Sequence, residues 1–135
     1  MTVGPATQRV LIVDDEAVIR DALRELLRDE GVEVVGAAGD GIEGVDLALE
    51  MQPDAVVMDV RMPSLDGLRA IRRLKELLPA IRIVVLTAYD NPSLRTSAAA
   101  AGADAYVVKG TPSEALIDAL SPPSGKVRTT NASPK

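Results

Sequence analysis

A chain of 135 residues is long enough for one domain with one core, and its 47% hydrophobic and 26% charged content is that of an ordinary folded protein. With neither cysteine nor histidine, disulfides, thiolate or imidazole metal ligands and His-based catalysis are all excluded, and a net charge of −5 argues against this chain itself binding nucleic-acid phosphates. No apolar run approaches a membrane span and the first residues carry no signal-peptide core. The location expected is therefore cytoplasmic, with no membrane partner.

Two Tyr and no Phe or Trp mean that the core is built from Val, Leu, Ile and Ala. Residues 1–8 are polar and contain Gly4-Pro5, which predicts a flexible leader. The first strand is Arg9 to Val13. A helix follows from about Glu16 to Asp29, with Val18, Ile19, Ala22, Leu23, Leu26 and Leu27 at helical spacing and Gly31 as its stop. Glu33 to Ala37 reads as the second strand. Asp40-Gly41-Ile42-Glu43 has the pattern of a capping box and starts a helix that ends before Pro53. The third strand, from Ala55, is followed by a helix from Leu65 to Leu78 with Ser64 as its expected cap. Arg82 to Leu86 is the fourth strand. Asn91-Pro92 opens an alanine-rich helix to Ala101, and Gly102 ends it. Ala105 to Val108 is the fifth strand. Thr111-Pro112-Ser113-Glu114 reads as a second capping box, starting a short last helix that ends near Leu120. Residues 121–135 have no periodicity and read as a flexible tail or the start of a linker. Strand and helix thus alternate five times, which implies an α/β fold: a doubly wound parallel sheet with helices on both faces, in one domain over residues 9–120.

Within this pattern, Ala55-Val56-Val57-Met58 runs straight into Asp59, and Val10-Leu11-Ile12-Val13 runs into Asp14 and Asp15. An unbroken apolar run fits a strand covered on both faces. All carboxyl ends of a parallel sheet share one edge, where open α/β folds bind ligands. Three aspartates gathered there cannot all stay ionised without a cation, which predicts a metal. The same edge collects Thr87 after the fourth strand and Lys109 after the fifth. Each residue alone has a plainer role: Asp14 as a helix cap, Thr87 as a strand-end hydroxyl, Lys109 as a surface lysine, Tyr106 as core filler. Their joint placement at strand ends is what points to a site.

The segments LIVDDE, VVMDVRMPSLDGL, VVLTAYD and YVVKGTP, in this order, resemble the receiver domain of bacterial two-component response regulators over about Arg9 to Leu120. VRMPSLDGL, AAGADAYVVKGTP and SEAL are most similar to receivers of the subfamily with LuxR-type helix-turn-helix output domains. The resemblance implies a flavodoxin-like sheet of strand order 2-1-3-4-5. It implies that Asp59 accepts a phosphoryl group from a histidine kinase or a histidine phosphotransfer protein. Asp14, Asp15, Asp59 and the backbone carbonyl of Arg61 would hold Mg²⁺, with Lys109 and Thr87 assisting at the phosphoryl oxygens and the N–H of Ala88 beside them. Thr87 and Tyr106 would form the switch, Tyr106 turning inward, while Arg61 and Tyr89 tune hydrolysis. Self-association on phosphorylation, and DNA binding only through an output domain outside this chain, are further implications. On this reading the chain is a switch that promotes its own phosphorylation and dephosphorylation rather than an enzyme acting on other molecules.

Two departures are visible in the described pattern. Many receivers have Lys-Pro where this chain has Lys109-Gly110, and the last helix is short. No helix-turn-helix follows residue 120, as expected of a piece of a longer regulator or of a stand-alone receiver. Two other readings stand beside the first: a phosphatase with an aspartyl nucleophile, and a receiver-like interaction module that no longer transfers phosphate. The adjacent Asp14-Asp15, a whole βαβ unit before Asp59, departs from the Asp-x-Asp pattern of the phosphatases. The complete set Asp14, Asp15, Asp59, Thr87 and Lys109 argues against the degenerate module.

Overall fold

The computed structural model describes residues 8–60 and 66–121. Five strands and five helices alternate along it: β1 (Arg9–Val13), α1 (Ala17–Asp29), β2 (Glu33–Ala38), α2 (Gly41–Met51), β3 (Ala55–Met58), α3 (Asp66–Leu77), β4 (Arg82–Thr87), α4 (Pro92–Ala101), β5 (Ala105–Val108) and α5 (Ser113–Leu120). The strands form one parallel sheet in the order β2-β1-β3-β4-β5. The order reverses between β1 and β3, the switch point at which such sheets open a crevice. No described helix is long and apolar enough to cross a membrane.

Side chains of a strand alternate between faces, and here the alternation divides the core in two. Leu11, Val13, Val56, Met58, Ile83 and Val85 meet Ala48 of α2, Ala70, Ile71 and Leu74 of α3, and Leu94, Ala98 and Ala101 of α4. Val10, Ile12, Ala55, Val57, Val84, Leu86 and Val107 meet Leu23 and Leu27 of α1 and Leu116 and Leu120 of α5. This is why β1, β3 and β4 read as continuous apolar runs: every residue has a helix above or below it. Burying each such Val, Leu or Ile is worth about 1.5–3 kcal/mol. Close packing of α2 on β1 depends on Gly44, where a Cβ would stand 2.8 Å from Val13 Cγ2. That approach holds the end of β1, and so Asp14, against the rest of the sheet edge.

Most helix signals act as the sequence implies. Asp40 caps α2 by accepting from Glu43 N at 2.8 Å, although the Glu43 carboxylate reaches back to the N–H of Gly39 rather than to that of Asp40. Asn91 caps α4 through Leu94 N at 2.8 Å, with Pro92 in the first turn. The second capping box does not form. Pro112 takes an extended conformation (φ −56°, ψ 146°) and itself precedes α5, so Thr111 stands one residue too early to cap. Its hydroxyl donates instead to the carbonyl of Val108 at 2.8 Å. Val18, placed in the apolar stripe of α1 by its spacing, is 78% exposed, and Leu23 and Leu27 carry the burial. The expected cap Ser64, with Arg61 and Leu65, lies outside the described residues, as do 1–7 of the leader and 122–135 of the tail. Gln8 donates to the carbonyl of Leu120 at 2.6 Å, tying the start of β1 to the end of α5.

Candidate functional site

The backbone of each site residue is pinned by the ladder that precedes it. Asp14 N donates to Ala38 O at 3.0 Å, Asp59 N to Val13 O at 2.9 Å and Lys109 N to Thr87 O at 2.7 Å. The parallel pairing thus runs one residue beyond β1, β3 and β5. It delivers each polar side chain to the carboxyl edge on a rigid element rather than on a free loop.

There the aspartates converge. Carboxylate oxygens of Asp14, Asp15 and Asp59 lie within 4.8 Å of one another. Asp14 is buried, Asp59 half-buried and Asp15 exposed. Lys109 Nζ lies 3.2 Å from Asp14 Oδ2 and 3.7 Å from Asp59 Oδ2, a cation between two of the three acids. The other carboxylate oxygen of Asp14 accepts from Glu16 N at 2.9 Å. Asp14 is therefore not the cap of α1, whose N-cap is Glu16, but its carboxylate both holds the amide of that residue and faces Lys109. A cleft of about 180 Å³ opens over the cluster and is bordered further by Gly39, Asp40 and Asp66 at the starts of α2 and α3. Three carboxylates and one ammonium sum to −2, so the cleft presents oxygen donors and net negative charge. It can take a hard divalent cation, which prefers oxygen ligands.

On the other side of Asp59, Thr87 is fully buried at the end of β4. Its hydroxyl donates to the carbonyl of Val60 at 2.7 Å and accepts from Tyr89 N at 3.3 Å. Ala88 follows it, exposed, and Tyr89 is 44% exposed. Tyr106 packs against the core on the α2–α3–α4 face, and its hydroxyl donates to the carbonyl of Tyr89 at 2.5 Å. The Arg95 guanidinium lies over its ring, 4.3 Å from the centroid. Burial pushes the Tyr106 phenol above its usual value, against the opposing pull of that cation. Connected bonds thus lead from Asp59 through Val60, Thr87 and Tyr89 to Tyr106 and α4.

Gly110, after Lys109, has φ +94°, a region closed to proline. The β5–α5 turn of this chain is therefore one that a Lys-Pro sequence cannot make. Two participants were not legible in the sequence. Val60 acts through its carbonyl, and Arg20 donates from α1 to the carbonyl of Asp14 at 2.6 Å. Backbone acceptors carry no side-chain signal, and a long arginine gives no hint of where it reaches.

The family model described as response regulator receiver domain matches residues 10–121. The transcriptional regulatory protein PdtaR of Mycobacterium tuberculosis is 48% identical over 126 residues, covering 87% of this chain and 60% of that protein. The chain thus spans less than two thirds of that relative's length. A LuxR-family two-component response regulator from Aurantimonas sp. SI85-9A1 superposes with a TM-score of 0.77 at 34% identity, over 84% of this chain and 81% of the other. The CheX–CheY–BeF3–Mg²⁺ complex from Borrelia burgdorferi matches with a TM-score of 0.77 at 25% identity, over 84% and 86% of the two chains.

Proposed function

Because the chain belongs to the response regulator receiver domain family, we propose that it is a two-component switch whose phosphoacceptor is Asp59. The observation that carries this reading is the meeting of Asp14, Asp15 and Asp59 at one strand edge with Lys109 Nζ between two of them. Asp15, Asp59 and the carbonyl of Arg61 would hold Mg²⁺, with Asp14 acting through a bound water. That donor set is all oxygen, as the ion requires. When bound, the cation offsets charge on the transferring oxygens.

The chain's own groups supply the rest. An oxygen of Asp59 forms the bond to phosphorus while the P–N bond of a phosphohistidine, on a histidine kinase or a phosphotransfer protein, breaks. The imidazole leaves with the bonding electron pair, and Asp59 becomes an acyl phosphate. Lys109 turns from the carboxylates to a phosphoryl oxygen, and the N–H of Ala88 faces another. Thr87 exchanges its bond to Val60 for one to the phosphoryl group. That exchange moves the loop that starts at Ala88, whose Tyr89 carbonyl Tyr106 holds. Tyr106, half-buried with its hydroxyl on that carbonyl, turns inward in response, which alters this tether and the Arg95 stacked on its ring. Arg61 and Tyr89, flanking the phosphoryl group, tune its hydrolysis, which the same site promotes.

The receiver unit is residues 9–120, between a leader and a tail or linker. It acts in the cytoplasm, and its altered α4–β5–α5 face pairs with a second copy or controls a transcription-regulating output domain beyond this chain. Incubation with a small acyl phosphate and Mg²⁺ tests the reading. One phosphoryl group should appear, sensitive to hydroxylamine, and Asp59→Asn should abolish it; a mass shift that survives this substitution rejects Asp59 as the acceptor.

A further inference from the structure

We propose that Arg20 is a positioning residue for the acidic cleft, bracing two of its walls so that Asp14 and Asp15 keep the spacing a divalent cation needs; this rests on the reading of the cleft given above. α1 begins without the usual help, since Glu16 at its N-cap makes no side-chain capping bond. Arg20 takes over the bracing of the turn. Its backbone N–H makes the first helical bond of α1, to Glu16 O at 3.0 Å, as any residue there would, and its guanidinium adds a bond to Asp14 O at 2.6 Å. The short stretch holding Asp15 is thereby bracketed at both ends by one residue.

The same guanidinium reaches the neighbouring loop. A Cβ at Gly39 would stand 3.5 Å from Arg20 Nη1 and 3.9 Å from Glu43 Oε1, so both groups lie at contact distance from that position. Gly39 N is itself held by Glu43 Oε1 at 2.8 Å. Gly39 and Asp40 border the cleft opposite Asp14 and Asp15. One planar, permanently charged group thus lies between the turn after β1 and the turn after β2.

Bracing and simple charge predict opposite signs. A cation bonded to the carbonyl of Asp14 repels a divalent ion in the cleft, so by electrostatics alone its removal should tighten Mg²⁺ binding. If Arg20 positions the acids, its removal should weaken binding by about tenfold, the usual scale for a residue acting on metal ligands from behind. The experiment is Mg²⁺ titration of the full chain, unaltered, Arg20→Met and Arg20→Lys, with amide hydrogen exchange at Glu16 and Gly39 measured without the ion. The expected result is weaker binding and faster exchange at both amides in Arg20→Met, smaller changes in Arg20→Lys, and an unchanged denaturation midpoint. Equal or tighter Mg²⁺ binding in Arg20→Met, or unchanged exchange at both amides, overturns the proposal. Failure of the unaltered chain to bind Mg²⁺ defeats the functional reading instead, and exchange at Glu16 and Gly39 then decides the bracing alone. Should Arg20→Met not fold, Arg20→Lys carries the same two measurements.

Discussion

The hydroxyl of Thr87 donates to the carbonyl of Val60 at 2.7 Å, so the side chain expected to reach a phosphoryl oxygen on Asp59 is already bonded to the residue next to it. Thr87 is fully buried, and neither partner can turn to solvent when the bond opens. The two arrangements of this hydroxyl exclude one another, which is what a two-state element requires.

Replacing Thr87 by Val keeps the shape and removes the donor. With the carbonyl of Val60 left unpaired in the interior, stability should fall by about 1–3 kcal/mol. Denaturant unfolding measures this. Asp59 should still be phosphorylated, because Thr87 is not the nucleophile, but the NMR shifts that a beryllofluoride adduct brings to Tyr106 and α4 should shrink. Full-sized shifts in the variant would remove Thr87 from the switch.

Lys109 sets an ammonium against the carboxylates of both Asp14 and Asp59, so Lys109→Met separates two roles. Without Mg²⁺ the variant should lose about 1.5–3 kcal/mol, the worth of a hydrogen bond to a charged group, because among the described residues the buried Asp14 carboxylate then keeps the bond from Glu16 N and loses that from Lys109. The summed charge of Asp14, Asp15, Asp59 and residue 109 passes from −2 to −3, so Mg²⁺ should bind more tightly while phosphotransfer slows. Calorimetric titration and the phosphorylation rate read the two effects. Weaker Mg²⁺ binding in Lys109→Met would contradict this electrostatic account.

How much of this was legible before the fold follows from physical causes. β1, β3 and β4 were legible because both faces are covered, leaving runs without a polar interruption until Asp14, Asp59 and Thr87. The acids, Thr87 and Lys109 were legible as a group because a parallel sheet sends every carboxyl end to one edge. Thr111 was misread as a cap because pattern alone does not show that Pro112 stays extended, which moves the start of α5 by one residue. Val18 satisfies the helical spacing yet sits at the margin of the stripe, where a side chain already meets water. The bond of Arg20 to Asp14 and that of Thr87 to Val60 end on backbone carbonyls, whose positions only the folded chain settles.

Gly110 gives a direct test of the β5–α5 turn. Its φ of +94° costs a glycine nothing, but proline is held near −65° and cannot follow. Gly110→Pro, which writes the family's common Lys-Pro into this chain, should therefore destabilise it or force the turn into another course. Gly110→Ala should cost about 1–2 kcal/mol, the usual penalty of a left-handed residue with a Cβ. Among the described residues, its two chain neighbours aside, no heavy atom lies within 4 Å of that Cβ, so the loss would be conformational and not a clash. Equal stability of Gly110→Pro and the unaltered chain, by thermal or denaturant unfolding, would contradict the turn described.

Tyr106 offers a reporter that the composition makes clean. Only one other tyrosine is present, so Tyr89→Phe leaves a single phenol whose ionisation can be followed by absorbance. Burial raises the Tyr106 pKa above the ordinary 10.0, the contact at Asn91 and the Arg95 cation pulling the other way. The sign for stability follows by linkage. Above pH 10 the unfolded chain gives up this proton while the folded chain still holds it, so the contribution is whole below pH 10 and is lost as pH rises through the raised value. Arg95→Leu removes a cation that favours the phenolate and should move the titration still higher. The same phenol reports the switch, because its hydroxyl is held by the carbonyl of Tyr89 in the loop that Thr87 governs. Beryllofluoride with Mg²⁺ should shift its titration in the Tyr89→Phe chain and fail to do so when Thr87→Val is added. A phenol that titrates at or below 10.0, or that ignores beryllofluoride in both chains, would disconnect Tyr106 from the site around Asp59.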